Sequence, residues 1–160
     1  WIPIAYHAGY GFYVWFRGGS NVGDYAYKGN WLYTSQRWTG AIAFFYMAYH
    51  VWHLRFAGEH ILTNPAIAFP KVQHEFQNPW IVAFYAIAIV AASWHFAYGI
   101  WLFCAKWGIV SGERAQRRFG YVCLAIAVLF VFVGAASMYS FLSTPLQPMS
   151  PAEPGTLVMR

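Results

Sequence analysis

Three stretches of the chain carry no Asp, Glu, Lys or Arg at all: residues 38–54, 76–105 and 119–152. Each supplies about 17 or more mostly apolar residues in succession, enough for a helix to cross the hydrocarbon core of a bilayer. Composition agrees: 59% of residues are hydrophobic, 22% aromatic and 9% charged, where soluble domains carry roughly 25% charged residues. Such a chain could not clothe a water-facing surface, so it reads as an integral membrane protein. At 160 residues it has room for one domain.

The opening residues 1–16 are also uncharged and apolar up to Arg17, but they span only roughly 24 Å as a helix. There is neither an initiator Met nor a basic-then-apolar leader. The expectation is a first helix that continues upstream of Trp1. The all-α reading is thus a polytopic transmembrane bundle with four helices, over about 1–16, 37–56, 79–105 and 118–142, and five in the full protein. Asn78-Pro79 suits the third start, as N-cap and first helical position. Segment 17–36, rich in Gly, Asn, Ser and Tyr, reads as an ordered or partner-bound loop. The Pro-rich tail 144–160 reads as extended or disordered. Cys104 and Cys123 stand alone in apolar runs and read as packing residues.

Cations give the orientation. Arg17, Lys28 and Arg37 lie in or beside one inter-helix segment, and Lys106, Arg114, Arg117 and Arg118 in another. The remaining segments hold only Arg55, Lys71 and Arg160. Positive charge favours the cytoplasm, so loops 17–36 and 106–118 are expected there, in a bacterial cytoplasmic membrane. The formal charge of +5 then reflects these loops and acidic lipid headgroups, not nucleic acid.

A short device occurs twice: YHAGYG at 6–11 and WHFAYG at 94–99, both aromatic-His-x-x-Tyr-Gly. His7 lies ten residues before Arg17 and His95 eleven before Lys106, placing each about 15–17 Å from the cytoplasmic end of its helix. Two imidazoles at equal depth are what a six-coordinate haem b iron needs as axial ligands. Gly11 and Gly99, four residues on, fall on the same face and would leave a slot for a porphyrin edge. Either motif alone reads more readily as a hydrogen-bonded packing histidine or part of a polar cavity; the repetition at matched depth favours the haem. His50 lies about 20 Å from the cytoplasmic end of its helix. It could serve a second, outer haem whose other ligand lies elsewhere. His53 reads first as a packing residue and otherwise as a support for a haem ligand or a quinone-site residue, and His60 and His74 read as solvated. Lys106 shares a face with His95 three turns away and could reach a haem propionate. Arg17, Arg37 and Trp38 border the same layer.

The runs YHAGYGFYVWF, QRWTG leading to AYHVW, WHFAYGIWLFCAKWGI and the following RAQRR helix resemble, in this order, the membrane cytochrome b subunit of succinate dehydrogenase. The likeness is to the two-haem, single-polypeptide type, close also to dihaem fumarate reductases, and covers about residues 4–142. It implies five helices with axial histidines on the first four. His7 and His95 would hold the inner haem b and His50 one side of the outer. No counterpart of the family's first helix is present. It also implies docking of iron-sulfur and FAD-bearing flavoprotein subunits on the cytoplasmic side, and electron transfer to a quinone, more often menaquinone. Trp31, Arg37 and His53 are the quinone-site candidates. The chain itself would carry no succinate site. Readings that stay open are a quinol:fumarate reductase subunit, a haem-free anchoring and quinone-binding subunit, and a proton relay. The last lacks an intramembrane Asp or Glu beside His7 and His95.

Overall fold

A computed structural model describes residues 1–57, 61 and 64–149. Those residues form five α-helices: α1 (Ile2–Arg17), α2 (Lys28–Arg55), α3 (Ala68–Glu75), α4 (Pro79–Lys106) and α5 (Glu113–Ser143), with a 3₁₀ turn at Pro65–Ile67 before α3. Helix α4 begins as its sequence predicts. Pro79 takes the first turn, and the Asn78 side chain accepts a 3.0 Å hydrogen bond from the Trp80 amide. At 1.5 Å per residue the 28 residues of α4 and the 31 of α5 exceed the roughly 30 Å of a bilayer's hydrocarbon core. These two are long and apolar enough to cross a membrane. Helix α2 is as long as α4 but richer in polar side chains, and α1 is shorter at 16 residues.

Three boundaries differ from the sequence reading. Helix α2 starts at Lys28 rather than near 37, so the loop is only residues 18–27. The polar residues there and just beyond bond to local backbone, which is neutral to unfavourable inside a helix, so contacts with other helices decide the start. Asn30 Nδ2 donates to Tyr25 O at 2.8 Å, Ser35 Oγ to Leu32 O at 2.9 Å and Thr39 Oγ1 to Ser35 O at 2.7 Å. Helix α5 starts at Glu113, not near 118, which makes Arg114, Arg117 and Arg118 helical. Its turn is set by Gly108 and Gly112, both at positive φ (72° and 84°). Trp101 Nε1 donates to Gln116 O across this turn at 2.9 Å. Finally, α3 has no counterpart in the sequence reading: part of the segment between α2 and α4 folds back as a short helix over the end of the bundle.

Helix α4 is the centre, packed on α2 on one side and α5 on the other, while α1 rests more lightly on α2. The buried face is made of small residues: Ala88, Ala91, Ser93 and Ala97 on α4, Cys123 and Ala127 on α5. Small residues let helix backbones approach where lipid provides no hydrophobic drive. At Gly134, a Cβ would lie 2.6 Å from Ile89 Cγ2. The large apolar residues point outward, among them Trp80, Phe132, Leu129 and Val128. That distribution is the reverse of a soluble protein's and suits a lipid surround.

A second packing centre lies at the end of the bundle where α3 folds back, where Val72 and Phe76 of the α3 region meet Tyr85 of α4. Phe76 and Tyr85 rings stand 4.9 Å apart, and Phe69 lies 4.7 Å from Phe141. Gln73, 1% exposed, ties this cap to the end of α5. Its Nε2 donates to the carbonyls of Phe141, Thr144 and Pro145 at 3.0–3.3 Å, and its Oε1 accepts from the Gln147 amide at 3.0 Å. The first residues of the tail are therefore non-helical but anchored; His60 and residues 150–160 lie outside the described residues.

Candidate functional site

The repeated motifs bring His7 and His95 together. Their ring centroids are 6.1 Å apart with planes at 77°. Matching positions on α1 and α4 produce this meeting even though the main contacts of those helices are with other neighbours.

His95 is held from α2. Its Nδ1 lies 3.0 Å from Gln36 O, a carbonyl with no proton to give, so the imidazole must be the donor. In return the Gln36 side chain donates through Nε2 to His95 O at 3.0 Å. Each bond has a glycine four residues beyond the carbonyl it uses. A Cβ at Gly40 would lie 2.7 Å from His95 Cε1 and 3.0 Å from Nδ1; one at Gly99 would lie 3.4 Å from Gln36 Nε2. One position earlier the link continues, with Trp94 Nε1 donating to Ser35 Oγ at 3.3 Å.

Gly99 is therefore not an open slot: the Gln36 amide occupies its side, so its missing Cβ serves the α2–α4 contact. Gly11 does border open space, with nothing within 4 Å of an added Cβ. Arg37 is engaged with α1. Its Nη1 donates to Gly18 O at 2.8 Å, Nη2 to Val14 O at 3.0 Å, and its Cζ stands 4.3 Å from the Tyr33 ring centroid. The first bond gives the carbonyl just past the end of α1 a partner; the second adds to the 3.1 Å bond that Val14 O already accepts from the Gly18 amide. Arg37 Nε and Gln36 Oε1 are buried with no hydrogen-bond partner. Trp38 packs edge-to-face on Trp15 at 5.1 Å, while Lys106 and Trp31 are exposed.

His50 is far from this pair in the chain of contacts. Its Nδ1 is 3.2 Å from the Tyr85 hydroxyl, which donates to Glu75 Oε2 at 3.4 Å. With the phenol proton directed at Glu75, the Tyr85 oxygen is free to accept from His50 Nδ1–H. Glu75 Oε1 also accepts from Tyr49 Oη at 2.9 Å and lies 2.8 Å from His53 Nε2. The Glu75 side chain is 7% exposed. An acid does enter the bundle, brought in by α3, and its partner is His53 rather than His7 or His95. His74, read as solvated, is exposed, with Nε2 3.1 Å from Gln147 O.

Gln36, Gly40, Tyr85 and Glu75 were not singled out by sequence. Gln36 and Gly40 had one available signal: they repeat the four-residue spacing to glycine seen in both histidine motifs. Glu75 had none, because an unforeseen helix delivers it.

Apolar exterior, small-residue interior and paired imidazoles within one helical layer define an all-α bundle built for a membrane. The chain belongs to the succinate dehydrogenase/fumarate reductase transmembrane subunit family, which matches residues 21–134. It is similar to the succinate dehydrogenase cytochrome b558 subunit of Bacillus subtilis (strain 168), with 34% identity over 140 residues, 88% of this chain and 68% of that protein. No solved structure matches significantly. The chain is thus a membrane anchor subunit that associates with the other subunits of such a complex.

Proposed function

We propose that this subunit holds a haem b between His7 and His95 and passes electrons from the iron-sulfur subunit toward a membrane quinone. The observation that carries this reading is the 6.1 Å between the two ring centroids. That separation would admit a metal held by one nitrogen of each ring, at metal–imidazole bonds of about 2.0–2.1 Å. The residues around the pair suit the group. The Gln36 carbonyl accepts a hydrogen bond from the Nδ1–H of His95, which leaves Nε2 as the ligating atom. Gly11 leaves space beside His7. Arg37 Nε is an unmet donor suited to a propionate, and Lys106 adds a cation about three turns from His95. Haem, when bound, supplies one-electron redox chemistry whose potential depends on ligands, burial and nearby charge.

The same reasoning gives His50 to a second haem, with its Nδ1–H donating to the Tyr85 oxygen and its other ligand outside the described residues. Seven cations, Arg17, Lys28, Arg37, Lys106, Arg114, Arg117 and Arg118, gather at the α1–α2 and α4–α5 connections. The rule of positive charge inside makes that end cytoplasmic and the docking face for the iron-sulfur and flavoprotein subunits. Of the cations near the opposite end, Lys71 is buried with its Nζ on Ala57 O at 2.6 Å.

The test is a reduced-minus-oxidised spectrum of the purified complex, which should show the sharp visible α band of bis-imidazole haem b. His7→Ala and His95→Ala should each abolish the inner-haem part of that band. Unchanged haem content in either variant overturns the assignment.

A further inference from the structure

The hydrogen bonds between Gln36 and His95 use carbonyls that already serve α-helices, since Gln36 O and His95 O each face the amide four residues ahead. A helix carbonyl can accept a second, lateral hydrogen bond only if the residue four positions on leaves room for the donor. Gly40 and Gly99 are those residues. At Gly40 the opening is filled by the His95 ring, with the site of a Cβ 2.7 Å from Cε1, 3.0 Å from Nδ1 and 3.5 Å from Nε2. No L side chain fits there without displacing the imidazole. At Gly99 it is filled more loosely by the Gln36 amide. The ring is thus gripped at one nitrogen and confined along the edge that carries both.

We propose that the turn of α2 from Gln36 to Gly40 is the orienting seat of His95. The Gln36 carbonyl selects the tautomer with the proton on Nδ1, and Gly40 fixes the ring's rotation, so that Nε2 is presented as a ligand already aligned toward His7. Gln36 and Gly40 are positioning residues: they act on the haem through His95 and touch no reacting atom. This rests on the reading of His95 as a haem ligand. Outer partners of this kind commonly affect metal retention by about 10–100-fold.

The test uses the assembled complex and reads haem content per subunit and the low-spin EPR g-values of the bis-imidazole haem. Gly40→Ala should lower haem retention by about 10–100-fold and displace the g-values of what remains. Gln36→Ala keeps the backbone carbonyl but removes the bond to His95 O, and should displace the g-values with haem retained. If Gly40→Ala does not assemble, Gln36→Ala carries the test alone. Gly134→Ala is the control for simple crowding. Its Cβ would press as closely, 2.6 Å from Ile89, but on the α4–α5 contact, and it should leave the g-values in place. Unchanged spectra in Gly40→Ala or in Gln36→Ala, or an equal displacement in Gly134→Ala, overturn the seat. An unmodified complex without any bis-imidazole signature fails at the earlier step and removes the haem reading itself.

Discussion

Gln36 and His95 hold each other twice, backbone carbonyl to imidazole and side-chain amide to backbone carbonyl, both at 3.0 Å. They are 59 residues apart in sequence, so this is the pairing that sets the register of α2 against α4. Register matters because a slide of one residue would carry His95 about 1.5 Å along the axis and turn it by roughly 100°. Removing the amide in Gln36→Ala should lower stability by about 0.5–1.5 kcal/mol, the net value of one hydrogen bond. His95 O keeps its intrahelical partner, so no larger loss is expected. Thermal unfolding of the detergent-solubilised complex measures it.

Arg37 fastens the end of α1 to α2 where the two helices otherwise touch sparingly. Arg37→Ala should let the end of α1 move, and His7 with it, so that haem content falls while subunit content in the membrane stays. Arg37→Lys should be nearly as damaging, since one ammonium cannot reproduce a planar fork on two carbonyls. Haem quantified against immunoblotted subunit gives the answer; a fully active lysine variant would refute the fork.

Glu75 serves His53, Tyr49 and Tyr85 at once. Glu75→Leu should cost about 3–5 kcal/mol or less, toward the range for one partner removed from a buried pair, with partly exposed His53 at the lower side. Glu75→Gln retains an acceptor and should recover most of it. Chemical unfolding of the two variants side by side separates charge from hydrogen bonding.

Gln73 closes the end of α5 from a position 1% exposed. Its loss in Gln73→Ala would free the tail from 144 onward and leave buried groups unmatched, at about 1–3 kcal/mol. Limited proteolysis should then cut within residues 143–149, where the unmodified protein resists.

Gly134 meets Ile89 with no room to spare. Gly134→Ala should destabilise the α4–α5 contact by about 1–3 kcal/mol through overpacking. The second change Ile89→Ala should relieve it, and a double-mutant cycle of melting temperatures shows whether the two positions couple.

What could be read without coordinates was periodic or repeated. The charge-free runs announced α4 and α5 because a membrane demands long, apolar, self-satisfied segments, and Asn78-Pro79 marked a helix start through local chemistry. Counting residues to the nearest cation placed His7 and His95 at one depth, since helical rise is nearly constant. The early start of α2 was hidden because Gly29, Asn30 and Ser35 have turn-like propensities that tertiary contacts override; that of α5 was hidden because its first turns are charged and lie outside the apolar run. Residues read one at a time could not reveal Gln36, Gly40, Tyr85 or Glu75 as partners of histidines. Their roles depend on which helix faces which, and on a short helix, α3, folded back across one end of the bundle. The sequence by itself therefore determined the medium, the two long apolar helices α4 and α5 and the matching positions of His7 and His95 along their helices. Only the tertiary structure decided which carbonyl, glycine and carboxylate meet them, because those contacts join segments whose separation in the chain carries no local signal.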